Sequence, residues 1–241
     1  MTEIPILFNT EMVQAILEDR KTQTRRICRI RSIIDFRPID HAKCITVEFP
    51  KTNYKGLCAN FHDEKGDYLG ASQAPAHPGD TLWVRETWKQ ATTGTAGPGL
   101  TDLFLYKADE PQDTTGMMVE DRWHPSIHMP RRAARIFLKV TAIRTERLQD
   151  MTEDDAFAEG YDDGWPWCYH KVFENYPDSP IPCVASDGRD CPADRPCDHS
   201  IPELFGREIW GKTIKPVDLD KYGWDANPWV WAIEFERTER R

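Results

Sequence analysis

No run of apolar residues in the chain approaches the ~18 that cross a membrane, and no early basic-then-apolar stretch leads to a small-residue cleavage site. The expectation is a soluble, cytoplasmic protein with no membrane partner. Positive charge is in deficit: 40 Asp and Glu stand against 31 Lys and Arg, for a formal net charge of -9. That deficit disfavours an extended nucleic-acid groove, whose affinity comes mainly from neutralising phosphates. A small ligand or a short single-stranded element remains. Internal repeats and low-complexity tracts are missing, and so is the regular alternation of strand and helix that a doubly wound sheet requires.

Tight C-x2-C knuckles are missing too. Seven cysteines, at 28, 44, 58, 168, 183, 191 and 197, are an odd number in a sizeable chain without a secretory leader, which weighs against a disulfide framework. Reduced thiols or a metal site are the readings left. Cys183, Cys191, Cys197 and His199 have metal-ligand chemistry within "CVASDGRDCPADRPCDH". Without knuckle spacing, a structural zinc and a loop of free thiols are both open there.

What is present is enough apolar material for a core. The chain has 241 residues, 39% of them hydrophobic, which fits one domain. Nine tryptophans and eighteen prolines suit a strand-and-loop protein better than a helical bundle. "IPILF" reads as a short buried strand. Asn9 or Thr10 then caps a helix with Met12, Val13, Ile16 and Leu17 on one face, ending near Arg20.

"TRRICRI" alternates as a strand, and residues 36–77 read as loops or a small hairpin insertion. "PGDTLWVRETW" is a turn entering a strand, with Leu82 and Val84 opposite Trp83 and Arg85; "LFLYKA" is another strand. "AARIFLKVTAIRTERL" is a long strand or a bent pair, and "TEDDAFAEG" a short helix capped by Thr152 and stopped by Gly160. Residues 161–199 read as a second loop-rich insertion. Beyond it, Ser200 and Glu203 form a capping-box pattern, and "PWVWAIEFER" is a closing strand with Trp229, Trp231, Ile233 and Phe235 on one buried face. The expected class is α+β and barrel-like.

The sharpest local feature is "RKTQTRR", residues 20–26, a knot of positive charge and hydroxyls in an acidic chain. At a helix-to-strand junction Lys21 and Thr24 are able to converge, while Arg20, Arg25 and Arg26 keep the potential positive and lower the pKa of Lys21. A lysine so placed is a candidate base near neutral pH. A solvated basic surface at a helix C-terminus is the other reading. Arg85, Glu86 and Arg135 are candidates for holding a base or phosphate, or for plain ion pairing between strands. Trp83, Trp88 and Trp123 suit either stacking on a nucleobase or the core.

"ILEDRKTQTRR", "GDTLWVRETW", "LQDMTEDDAFAEG" and the terminal "WVWAIEFER" together resemble the ASCH domain, a small β-barrel similar to the PUA fold of RNA-modifying proteins. With "PSIHMPR-x-AARI" added, the chain is more similar to the larger ASCH proteins of bacteriophages and prophages. The resemblance covers residues 5–27, 78–89, 122–160 and 222–237 and neither insertion. One branch of that family removes the acetyl group from N4-acetylcytidine, using a lysine and a threonine of an "RKT-x-T" motif and a glutamate on the helix after the long strand.

The resemblance implies that Lys21 and Thr24 take the first two roles. Glu159 takes the third, or Glu153 under a different helix register. It implies amide hydrolysis on a modified nucleoside or nucleotide with no required cofactor; the residue types add Arg20, Arg26, Trp83, Arg85, Glu86, Trp123 and Arg135 as substrate-binding candidates. A non-catalytic module of phage origin that binds RNA, such as a short single strand, or another nucleic-acid element is the alternative. If the pocket is reactive, Lys21, Thr24 and Glu159 must converge, and Lys21→Ala is expected to stop turnover without unfolding, since a partly exposed charge contributes within about ±0.5 kcal/mol.

Overall fold

The computed structural model describes residues 2–239 other than 33, 36, 45, 49–56, 94–100, 113 and 162–200. The candidate zinc ligands Cys183, Cys191, Cys197 and His199, the second insertion and Ser200 lie outside the described residues. Strands dominate, arranged in three sheets with a few short helices, a mixed α+β architecture.

β1 (Glu3–Leu7) leads into α1 (Thr10–Leu17). Asn9 caps that helix, its side-chain oxygen accepting from the Met12 N–H at 2.8 Å, and Val13 and Ile16 are buried on its inner face. The helix stops short of Arg20. Glu18 is its C-cap and Asp19 turns left-handed at φ 58, so residues 20–22 leave the helix before β2 (Gln23–Ile27) begins.

β6 (Thr81–Arg85), β10 (Phe137–Arg147) and β11 (Trp229–Thr238) complete a five-stranded sheet in the order β1-β6-β10-β11-β2. β1 runs parallel to β6, and the remaining pairs are antiparallel, with one irregularity in the long β10–β11 ladder between Val140 and Ala142. The barrel expected from the sequence is not closed by these ladders. β1 and β2 are its two edges, and Arg26 spans the gap by donating from Nη2 to the Leu7 carbonyl at 2.9 Å.

Trp229, Trp231, Ile233 and Phe235 share the inner face of β11, buried with Ile6, Val13, Leu82 and Val84 in the main core. β11 is covered on its other face as well. Val230 packs there with Leu148, Met151, Ala156, Phe205 and Trp210. These come from the segment after β10, from α2 (Glu153–Ala158), from α3 (Ile201–Phe205) and from the π-helical turn Gly206–Trp210.

The stretch read as loops or a hairpin insertion is a three-stranded antiparallel sheet: β3 (Thr46–Glu48), β4 (Cys58–His62) and β5 (Tyr68–Gln73). It is part of the main core. Phe61 sets its ring edge against Trp229 at 5.7 Å, and Ser72 Oγ accepts from Trp231 Nε1 at 3.2 Å. An extended segment ties it to the large sheet, with the Cys28 N–H donating to the Trp229 carbonyl and Arg31 exchanging both backbone bonds with Ala71. Gly70 permits that approach, since a Cβ there would lie 2.5 Å from the Arg31 carbonyl oxygen.

The third sheet, in the order β8-β7-β9, is built from β7 (Trp88–Thr93), β8 (Thr101–Tyr106) and β9 (Met117–Val119). Among the described residues no helix is long and apolar enough to cross a membrane. Cys28, Cys44 and Cys58 are free thiols, and burial raises the pKa of Cys44 to about 11, which keeps it protonated at neutral pH.

Candidate functional site

Once the chain leaves α1, backbone bonds pin the knot against the end of α2. The Lys21 N–H donates to the Ala15 carbonyl at 3.0 Å and the Thr22 N–H to Ala158 at 2.8 Å, and Lys21 forms an isolated bridge with Glu159. Gly160, at φ +83, lets the two helix ends meet; a Cβ there would come within 2.8 Å of the Ala15 Cβ and 3.0 Å of the Lys21 Cβ.

Lys21 is enclosed, not solvated. Its Nζ donates to Glu159 Oε2 at 2.6 Å, the Glu159 carbonyl at 2.8 Å and the Gln23 carbonyl at 2.8 Å, which engages all three donors of an ammonium. The side chains of Lys21 and Glu159 are 0% and 3% exposed. Burial pulls the pKa of Lys21 below its ordinary 10.5, with Glu159 opposing that shift and Arg26 and Arg25 adding to it. The expected tolerance of Lys21→Ala is therefore corrected: removing one partner of a buried pair leaves the other charge in low dielectric, and about 3–5 kcal/mol is at stake.

Strand alternation divides the rest of the knot. Gln23 and Arg25 point from β2 toward α2, Thr24 and Arg26 into the main core. Arg25, its side chain fully buried, meets Glu146 at 2.5 Å, Asp155 at 3.3 Å and Glu159 at 3.2 Å. Gln23 donates to Asp155 Oδ1 at 3.1 Å, and Arg144 pairs with Glu146 at 2.8 Å and Asp155 at 2.7 Å. Glu159, the C-cap of α2, thus joins Lys21 to an ion network. Glu153 sits at the opposite end of that helix. Thr24 faces inward beside its cross-strand partner Ile233, and no hydrogen bond joins its hydroxyl to Lys21 or Glu159. Of the expected trio, Lys21 and Glu159 meet directly and Thr24 occupies the neighbouring inner face.

Asp155 anchors the network and α2 together, accepting from the Thr152 N–H within a capping box. Burial pushes its carboxyl up, but Thr152, Gln23 and Arg25 outweigh that and hold its pKa at about 2, against an ordinary 3.8. A carboxyl depressed by folding stabilises the protein above the unfolded value and loses that contribution as pH falls through the folded one. The gap in thermal stability between the wild type and Asp155→Asn is expected to narrow as pH drops from 3.8 toward about 2. Thermal melts across that range check it.

Beside the knot, a cavity of about 910 Å³ is lined by both edge strands of the large sheet. Ile4, Ile6, Leu82, Trp231 and Ile233 give it an apolar wall, and Arg25, Arg26, Arg29 and Arg31 bring cations, with no Asp or Glu in the lining. A second cavity of about 480 Å³ adjoins it, sharing Ile27, Arg29, Arg31, Thr213 and Ile214. Phe8 links cavity and knot, its ring lying 5.3 Å below the Arg26 guanidinium and 5.6 Å from Lys21 Nζ.

No family model, curated protein or solved structure matches this chain.

The other residues singled out in the sequence lie elsewhere. Arg20 pairs with Glu18 and donates to the Gly160 carbonyl at 3.1 Å. Glu86 is buried and held by Arg135 through two bonds of 2.9 and 3.0 Å; Arg135 also binds Asp109 and lies 3.9 Å from the Tyr106 ring. Burial lowers the pKa of Arg135, but Glu86 and Asp109 outweigh it and raise the value overall. Arg85 donates to the Ile127 carbonyl and lies over Trp83, while Lys89 and Lys107 lie over Trp123. None of these residues lines either cavity.

Sequence reading did not find Glu146 and Asp155 as partners of Arg25. The Thr152 cap and the Gly160 stop place Asp155 on a short helix, and Arg144 and Glu146 fall in a stretch that reads as a strand, with nothing local that points to Arg25. Their signal was the charge alternation in "IRTER" at the end of β10. Trp210, Arg29 and Arg31 were likewise not among the expected site residues. Among the described residues no cluster of His, Cys, Asp or Glu has metal-binding geometry.

Proposed function

We propose that this chain is an ASCH-like protein that binds a modified nucleoside or nucleotide beside β2 and hydrolyses an exocyclic amide such as that of N4-acetylcytidine. The observation that carries the reading is a buried lysine, its pKa lowered and its Nζ 2.6 Å from a buried carboxylate, one aromatic ring away from an arginine of an acid-free cavity. Burial of an amine without a function is costly, and enzymes lower lysine pKa values in this way to make bases. The curled five-stranded sheet serves on this reading as an open PUA-like scaffold.

Neutral Lys21 takes a proton from a water that the Thr24 hydroxyl helps to position, and that oxygen attacks the acetyl carbonyl. Arg26, facing the interior with Thr24, stabilises the oxyanion. The carbon–nitrogen bond then breaks, and the proton passes from Lys21 to the leaving amine, with Glu159 holding the lysine in place. Water and amide give acetate and the free amine, so the reaction needs no cofactor.

Saturation of all three Lys21 donors favours a second reading, in which the ion pair is purely structural and the cavity only binds. Incubation with N4-acetylcytidine, read by chromatography of cytidine and acetate, separates the two. Turnover is expected from the wild type and a loss of at least about 100-fold from Lys21→Arg, because a guanidinium stays protonated. A melting curve showing Lys21→Arg folded is required alongside. A wild type that binds the nucleoside without releasing acetate overturns hydrolysis in favour of binding alone.

A further inference from the structure

Past Arg26 the chain stays extended, and its alternation sorts the next residues. Cys28 and Ile30 are buried in the main core, whereas Ile27, Arg29 and Arg31 line both cavities. Arg29 and Arg31 are exposed, and neither forms an ion pair with a described carboxylate. Most other arginines with described surroundings are neutralised: Arg25, Arg131, Arg135, Arg144, Arg207 and Arg237 all meet carboxylates. In a chain of net charge -9, two unneutralised guanidinium groups where two cavities join are an anion-binding arrangement. Lys215 adds a third cation to the smaller cavity, in which Asp218 is the single carboxylate.

The shape limits what the anion belongs to. Cavities of ~300–1,000 Å³ take small organic ligands, and the larger one here, about 910 Å³, has an apolar wall suited to a base or sugar. From Arg26, an extended chain rises roughly 3.3 Å per residue, so Arg29 stands roughly 10 Å further along. A ligand whose apolar part lies against Trp231 and Ile233 would therefore present its far end to Arg29 and Arg31.

We infer that the ligand is a phosphorylated nucleoside, its phosphate groups held by Arg29 and Arg31 at the junction of the two cavities. This rests on the nucleoside-binding reading given above and narrows it to nucleotides. The arginines supply paired N–H donors to phosphate oxygens, and against Arg29, Arg31 and Lys215 the lining of the two cavities sets a single carboxylate, Asp218.

Titration calorimetry with cytidine, its monophosphate and its triphosphate tests the inference, each with and without the N4-acetyl group. The phosphorylated ligands are expected to bind at least about tenfold more tightly than the nucleoside, the gain of one charge-assisted contact, and to weaken with salt. Arg29→Ala/Arg31→Ala, at exposed positions, is expected to erase that difference, with its melting temperature confirming the fold. Equal affinity for cytidine and its phosphates in the wild type overturns the inference and leaves nucleoside binding standing. Tight nucleotide binding without acetate release upholds it while removing the hydrolytic reading. Failure of every ligand to bind removes both. A short single-stranded RNA that binds more tightly than the triphosphate overturns it in favour of a polymer.

Discussion

Glu159→Ala is expected to cost about 3–5 kcal/mol of unfolding free energy, measured by urea denaturation followed by circular dichroism. The carboxylate contacts two cations whose side chains are fully buried, Lys21 at 2.6 Å and Arg25 at 3.2 Å. Arg25 retains Glu146 and Asp155, but Lys21 is left with backbone carbonyls alone. Its ammonium must then stay buried without a counter-charge or lose its proton, and either route disfavours the folded state. Glu159→Gln should fall between the wild type and the alanine variant, keeping the shape and a hydrogen bond without the charge.

The double variant Lys21→Met/Glu159→Leu extends the test. Apolar replacement of a buried ion pair removes two desolvation penalties together, so most of the lost stability should return. Amide hydrolysis should not return with it. A double variant as unstable as Glu159→Ala would mean that the pair is held by more than electrostatics.

Trp231→Ala is the other large expected effect, about 3–5 kcal/mol for truncating a large aromatic in a packed interior. Trp231 is 1% exposed, lies centrally in the main core, and donates through Nε1 to Ser72 on β5. It joins the five-stranded sheet to the smaller β3–β5 sheet as well as walling the larger cavity. Its loss should therefore weaken nucleotide binding along with stability. Ser72→Ala is the control: it deletes the acceptor and leaves the indole N–H without that partner, at a cost of about 1–3 kcal/mol. A Trp231→Ala protein with wild-type stability would show that the two sheets do not share one core.

The elements with strong local signals were legible in the chain itself. The Asn9 cap, the alternation of Leu82 and Val84 in β6, the inward set on β11 and the Thr152 cap of α2 all rest on contacts within a few residues or on the period of a single strand. The knot was legible as chemistry, since a lysine, hydroxyls and arginines are visible as residue types. Whether it faced water was not. Lys21 and Glu159 are 138 positions apart, and burial is a property of what packs over a group, which no local pattern encodes.

Sequence alone thus determined a strand-rich α+β chain with short helices, an acidic surface and a basic cluster at the first helix-to-strand junction. Tertiary structure decided the rest, because each outcome depends on elements far apart in sequence. It left the large sheet open between β1 and β2, and it turned the residues read as an insertion into a wall of the core. It placed the β10 and α2 carboxylates against Arg25, so that this arginine is neutralised. By the alternation of one extended segment it left Arg29 and Arg31 facing the cavities with no described carboxylate paired to either, and that selection among equal arginines is the one on which the proposed anion binding depends.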